Sequence, residues 1–167
     1  MLFLLNKDIR TAKWNGLPLH ETSSAIVKET LNGDFTLSIR YPITDSGIYK
    51  QIKEDMLIKA PVPVLGFQLF RIKKPIENDD SLDITAYHIS DDIMQRSIEP
   101  MSVVNLTCGM ALSQMVQNTK TNLGDFSFMS DITDRRTFNT DEVKTLYSVL
   151  MDGAHSIIGT WEGDLIR

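Results

Sequence analysis

Cysteine and histidine are scarce in this sequence: Cys108 stands alone, and His20, His88 and His155 are dispersed along 167 residues. One cysteine excludes an internal disulfide framework and points to a reducing folding compartment. No histidine has a second His or Cys at ligand spacing, so no metal site is expected. Long apolar runs are also missing. No window approaches the about 20 residues that span a bilayer, so the chain is read as soluble and without a membrane anchor. Met1–Leu5 is apolar but lacks a basic leader and a small-residue cleavage site, and it runs into Asn6-Lys7-Asp8, so it reads as a first strand rather than a secretion signal. The glycines form neither a GxGxxG nor a GxxxxGK pattern, which removes a nucleotide loop. With 17 Lys and Arg against 22 Asp and Glu, the net charge is −5, which argues against non-specific DNA or RNA binding, and no specific nucleic-acid binding is expected.

What is present is strand pattern. In Glu29–Ile43, Asn32-Gly33 is a hairpin turn signal, because both residues accept a positive φ at low cost. Phe35, Leu37, Ile39 and Tyr41 then alternate with Thr36, Ser38 and Arg40, giving one core face and one wet face, with Ala25 and Val27 on the apolar side of the first arm. Pro42 ends the pairing. Further strands are expected at Met1–Leu5, Ala12–Trp14, Met56–Ala60, Phe67–Lys74 and Leu82–Tyr87. Pro61, Pro63 and Gly66 mark a loop, and Glu77-Asn78-Asp79-Asp80 makes the turn of a second hairpin. Short strands in series predict an antiparallel barrel-like module over residues 1–95.

The period then changes. Ser90 with Asp91 and Asp92 predicts a short helix that plugs an open end of the β-module. Thr107 caps a second helix carrying Ala111, Leu112, Met115 and Val116 on one side, with Asn118 near its end. Thr140 is expected to cap a third helix running from Asp141 to Met151, with Val143, Leu146, Tyr147, Leu150 and Met151 on one face and Gly153 as its stop. The remainder, "HSIIGTWEGDLIR", reads as a strand, a turn at Glu162-Gly163 and the start of a strand that does not finish. Residues 96–167 thus form a smaller α/β unit, expected to be truncated at its C-terminus, and the fold class is β-rich α+β.

Chemistry is harder to place. Asp79-Asp80 reads as a turn and Asp91-Asp92 as a helix start. Asp131 and Asp134 sit beside Arg135 and Arg136, which would hold both carboxylates ionised. Cys108 follows Thr107 at a helix N-terminus, where a thiolate is stabilised, but no His or Asn is placed to activate it. No catalytic, cofactor-binding or metal residue is therefore assigned, and no cofactor is expected.

Five stretches, in order, carry a family resemblance: "ETLNGDFTLSIRYP", "LFRIKKP", "ITAYHISDDI", "FSFMSDITDRRTF" and "SIIGTWEGDLIR". Together they resemble the N-terminal region of siphophage and prophage tail-tip proteins, the tail-associated lysin or prophage endopeptidase tail family. In that family the last stretch continues into a further strand. The resemblance implies a fold similar to the phage baseplate hub, a trimeric ring under the tail tube, in the virion tail. It implies as partners the distal tail protein and the tail tube or tape-measure components, and as role a structural hub carrying downstream host-interaction domains. It further implies that any lytic activity lies C-terminal to this region, so this segment is read as no enzyme. The alternative is a cell-wall endopeptidase with its active site here or further on; a carbohydrate-binding β-module is a third reading.

Overall fold

The computed structural model describes residues 1–9 and 11–166. The chain divides into two compact units, Met1–Thr30 with Asp34–Ile89, and Leu31–Gly33 with Ser90–Arg167.

The first unit is a single antiparallel sheet. Its strands are β1 (Phe3–Leu5), β2 (Leu17–Pro18), β3 (Ser24–Glu29), β4 (Phe35–Pro42), β5 (Leu57–Val62), β6 (Gly66–Glu77) and β7 (Ser81–His88), in the spatial order β2-β1-β5-β6-β7-β4-β3. The hairpin from Ser24 to Pro42 pairs Glu29 with Phe35 and Ser24 with Arg40, and Asn32 takes the left-handed conformation, φ 53°. Alternation along β4 is as the pattern requires: Phe35, Leu37, Ile39 and Tyr41 are buried and Thr36, Ser38 and Arg40 are not. They join Leu4, Ile58, Phe70, Ile72, Ile84 and Ala86 in the main core. β2 and β3 end the sheet, and among the described residues no ladder joins them. The sheet is open, so the barrel-like closure expected from the strand series is not found.

Prolines prove less disruptive than their chemistry implies. β5 runs through Pro61, paired with Phe67, and β6 runs through Pro75, paired with Ile84. β1 pairs with β5 only as far as Lys59, and β5 pairs with β6 only as far as Arg71. Each proline therefore sits where its strand has a neighbour on one side, and its missing N–H breaks no ladder. Ala12–Trp14 is not a strand. This segment lies over the second face of the sheet, where Ile9 and Ala12 pack against Leu5, Leu57 and Leu69. Gly16 returns the chain into β2 so close to Leu4 that a Cβ would overlap the Leu4 carbonyl oxygen.

The second unit mixes short ladders with helices. β8 (Ser97–Ile98) pairs with β11 (Lys144–Thr145), and β9 (Met101–Thr107) pairs with β10 (Arg135–Thr140). The helices are α1 (Asp91–Met94), α2 (Cys108–Gln117), α3 (Leu146–Met151) and α4 (Ile157–Trp161). α1, expected to belong with the β-module, is part of the second unit. Its Ile93 and Met94 are buried in the core of the second unit with Ile98, Ala111, Met115, Leu146 and Trp161. α2 starts where expected, its Thr107 hydroxyl accepting from the Met110 N–H at 3.5 Å.

Two expectations for this unit fail, both because a polar side chain caps elsewhere. Thr140 caps no helix: it ends β10, and its hydroxyl accepts from the Met101 N–H at 3.1 Å across the ladder. The third helix begins at Leu146 instead, capped by Thr145, whose hydroxyl accepts from the Ser148 N–H at 3.1 Å. Leu146 and Leu150 are buried as expected, whereas Val143 and Tyr147 are exposed. The terminal hairpin is replaced by α4. Ser156 caps it by accepting from the Gly159 N–H at 3.0 Å, and Ile157 and Trp161, one turn apart, both bury. Glu162 then turns left-handed, φ 53°, and the Gly163 N–H donates back to the Ile158 carbonyl at 3.1 Å, a Schellman-type stop. Among the described residues no helix is long and apolar enough to cross a membrane.

Candidate functional site

The histidines are scattered by the fold. His20 and His155 are exposed, and His88 is buried. The His88 ring stacks on Phe35 at 4.7 Å and meets Phe70 edge-on at 5.6 Å, and its Nε2 lies 3.1 Å from Gln68 Oε1. It is a core histidine held by an aromatic cluster. Among the described residues, no three His, Cys, Asp or Glu are grouped to hold a metal ion.

Asp80 makes a turn contact, accepting from the Ser81 hydroxyl at 2.8 Å, and Asp91 and Asp92 occupy the first turn of α1. Asp131 and Asp134 are exposed, and Arg136 does not form its ion pair with either. Its Nη1 donates to Glu162 Oε1 at 3.1 Å and to the Thr160 carbonyl at 2.8 Å, which ties β10 to the end of α4. That hydrogen bond and its charge hold the Glu162 carboxyl below the usual range. Arg135 donates to the Asn105 carbonyl at 3.3 Å. What Asp134 contributes is its backbone carbonyl, which accepts from Trp161 Nε1 at 3.0 Å.

Cys108 is buried at the first position of α2, beside a cavity of about 60 Å³ that Leu112, Phe128, Ile157 and Trp161 also line. The lining is apolar apart from Ser130 and Asp164, and none of its residues is a histidine. The arrangement is a small, mostly apolar cavity beside a small buried side chain.

Two polar clusters have no sequence signature. In the first, Glu21 Oε2 accepts from three hydroxyls: Tyr41 at 3.0 Å, Thr44 at 3.0 Å and Ser46 at 2.7 Å. The Ser46 hydrogen bond leads in holding the Glu21 carboxyl below its ordinary value. Burial first, and then the Glu21 hydrogen bond, push the Tyr41 phenol up to about 12. The three donors converge on one carboxylate oxygen, so the cluster locks the chain after β4 rather than activating a hydroxyl. Because the native phenol is raised above its ordinary value, its stabilising effect is complete below the unfolded tyrosine pKa of about 10 and is lost as pH rises through about 12. In a phenolate absorbance titration, Tyr41 should therefore ionise only near pH 12, and Glu21→Gln should bring its midpoint down. A titration curve unchanged by Glu21→Gln would show that the carboxylate plays no part.

The second cluster surrounds Lys59, a buried lysine on β5. Its ammonium donates to Asn15 Oδ1 at 2.8 Å and to the Trp14 carbonyl at 3.4 Å, and lies 4.7 Å from the centre of the Phe67 ring. These contacts fasten the segment before Gly16 onto the sheet, with the cation satisfied by dipoles and an aromatic face.

No family model matches the sequence, and no curated protein does either. Among solved structures the fold is similar to the crystal structure of prophage tail protein gp18 from Listeria monocytogenes EGD-e. The TM-score is 0.65 at 16% identity, over 88% of this chain and 43% of that one. The chain thus spans less than half the length of the tail protein that it matches. The likeness is one of fold, and it is to the same class, phage tail proteins, that the ordered sequence motifs resemble.

Proposed function

We propose that this chain is a structural component of a phage or prophage tail, acting at the tail tip as part of the hub that closes the distal tube and carries downstream host-interaction domains. The observation that carries the reading is the fold likeness to a prophage tail protein over 88% of the chain. The sequence motifs support it independently, because they follow one another in family order along the chain and do not rest on shape. In this reading the full-length protein assembles as a trimer and binds the distal tail protein. In this reading the region is no enzyme, although Ser130 and Ile132, which flank the exposed Asp131, line the same small cavity as the buried Cys108.

The test is assembly. Light scattering of the full-length protein, alone and mixed with the distal tail protein of the same phage, should show a trimer or a stoichiometric complex, whereas this chain by itself is expected to be monomeric or only weakly associated. A full-length protein that stays monomeric at high concentration and also fails to bind the distal tail protein would remove the hub reading. Cleavage of peptidoglycan peptides by the purified chain, lost in Asp131→Ala or Cys108→Ala, would replace it with the hydrolase.

A further inference from the structure

The sequence holds two Asn-Gly pairs, Asn15-Gly16 and Asn32-Gly33. Asparagine followed by glycine is chemically labile, because a residue without a Cβ lets its backbone nitrogen reach the side-chain amide carbon of the residue before it. The fold places the two amides in opposite surroundings.

The Asn32 amide is held at both ends inside the second unit. The Leu165 N–H donates to Asn32 Oδ1 at 2.6 Å, and Asn32 Nδ2 donates to Asp164 Oδ1 at 3.1 Å. The orientation of the amide follows, because a backbone N–H only donates and a carboxylate only accepts. This two-point latch fastens a wall of the small cavity beside Cys108. Gly163, Asp164 and Leu165 all line that cavity, and Leu165 is half-buried against the core of the unit. Asn15 instead offers its Oδ1 to the Lys59 ammonium at 2.8 Å.

We propose that Asn32-Gly33 is a deamidation site guarded by this latch, and that conversion of Asn32 to aspartate opens the latch and loosens Gly163–Leu165 over the cavity. This inference does not depend on the tail reading.

The step needs water alone as co-reactant. The Gly33 amide nitrogen loses its proton to solvent base and attacks Asn32 Cγ. The new N–C bond forms, the Cγ–Nδ2 bond breaks, and the side-chain nitrogen leaves as ammonia. Water then adds to one of the two carbonyls of the succinimide ring and opens it to aspartate or isoaspartate, so one water is consumed and one ammonia released. The product has lost the donor that served Asp164 and sets a second negative charge against that carboxylate. At Asn15 the same conversion would put a carboxylate against the Lys59 cation, which keeps the contact. The two pairs therefore differ in consequence, and Asn15 serves as an internal control.

The full chain, aged in mildly alkaline buffer and digested, is read by mass spectrometry for amide-to-acid conversion at each asparagine. Asp164→Ala, which removes one end of the latch, should speed conversion at Asn32 several-fold and leave the rate at Asn15 unchanged. The consequence is read on unaged protein. Aspartate tolerates the left-handed turn at position 32, φ 53°, so Asn32→Asp keeps the hairpin. In that variant amide exchange at Leu165 should rise by about tenfold. Labelling of Cys108, the one cysteine, by a thiol reagent should rise with it, whereas Asn15→Asp should move neither reading. Combining Asn32→Asp with Asp164→Asn restores a donor and an acceptor with their places exchanged, and should return both readings to their native values. Conversion at Asn32 that Asp164→Ala does not accelerate, or exchange and labelling that Asn32→Asp leaves unmoved, overturns the proposal. So does failure of the double substitution to restore them, which would place the damage in the turn and not in the latch.

Discussion

Phe70→Ala is expected to destabilise the first unit by about 3–5 kcal/mol, the range for emptying a fully buried phenylalanine site. Phe70 is 0% exposed and lies on β6, where its ring meets Phe35 edge-on at 5.1 Å and His88 at 5.6 Å. The site has little means of collapsing. Its neighbours are held by ladders on both sides, Ile58 across β5 and His88 across β7, so their backbones cannot move inward without breaking pairs. His88 aggravates the loss, because removing the ring leaves part of an imidazole facing a void. Phe70→Leu, which keeps most of the volume, should cost roughly half as much or less. Urea melts followed by far-UV circular dichroism check both. A loss under about 1 kcal/mol for Phe70→Ala would show that the aromatic cluster is not the centre of this core.

The elements legible in the sequence are those in which local chemistry and tertiary environment agree. The β3–β4 hairpin reads correctly because its turn residues, its alternation and its burial all point the same way. α2 reads correctly because Thr107 had no competing role. The failures share a cause: a residue with two available uses took the one that only the fold can offer. Thr140 could cap a helix or satisfy the Met101 N–H across a ladder, and the partner strand β9 decided for the ladder. "HSIIGTW" has the β-branched and aromatic content of a strand, yet Ser156 as a cap and the spacing of Ile157 and Trp161 give it one helical turn with both large side chains buried. Closure of the first sheet was not legible either, because nothing local records whether the first and last strands meet. The Glu21 cluster escapes sequence reading for the same reason: its donors lie 20 to 25 positions away and are brought together only by the path of β4 and the turn after it.

Trp161 offers the sharpest test of the second unit, since the strand reading and the observed helix give it different surroundings. In the structure it is 2% exposed, its ring is part of the core with Cys108, Leu112 and Ile157, and its indole N–H is satisfied by the Asp134 carbonyl at 3.0 Å. Trp161→Ala should cost about 3–5 kcal/mol and should leave that carbonyl without its donor. It should also loosen the arm from Asp134 to Arg136, because Arg136 is fixed to the carbonyl of Thr160 and the carboxylate of Glu162, on either side of the indole. Trp161→Phe separates the two contributions. It retains most of the apolar contact and deletes only the hydrogen bond, so its cost should fall near about 1–2 kcal/mol. The sequence has two tryptophans, and the other, Trp14, is 62% exposed. The blue-shifted, quencher-resistant part of the native fluorescence should accordingly vanish in both variants. Should both substitutions cost under about 1 kcal/mol and the native emission be fully quenchable, Trp161 is not in the core, and the helix from Ile157 to Trp161 would have to give way to the strand that the sequence alone implies.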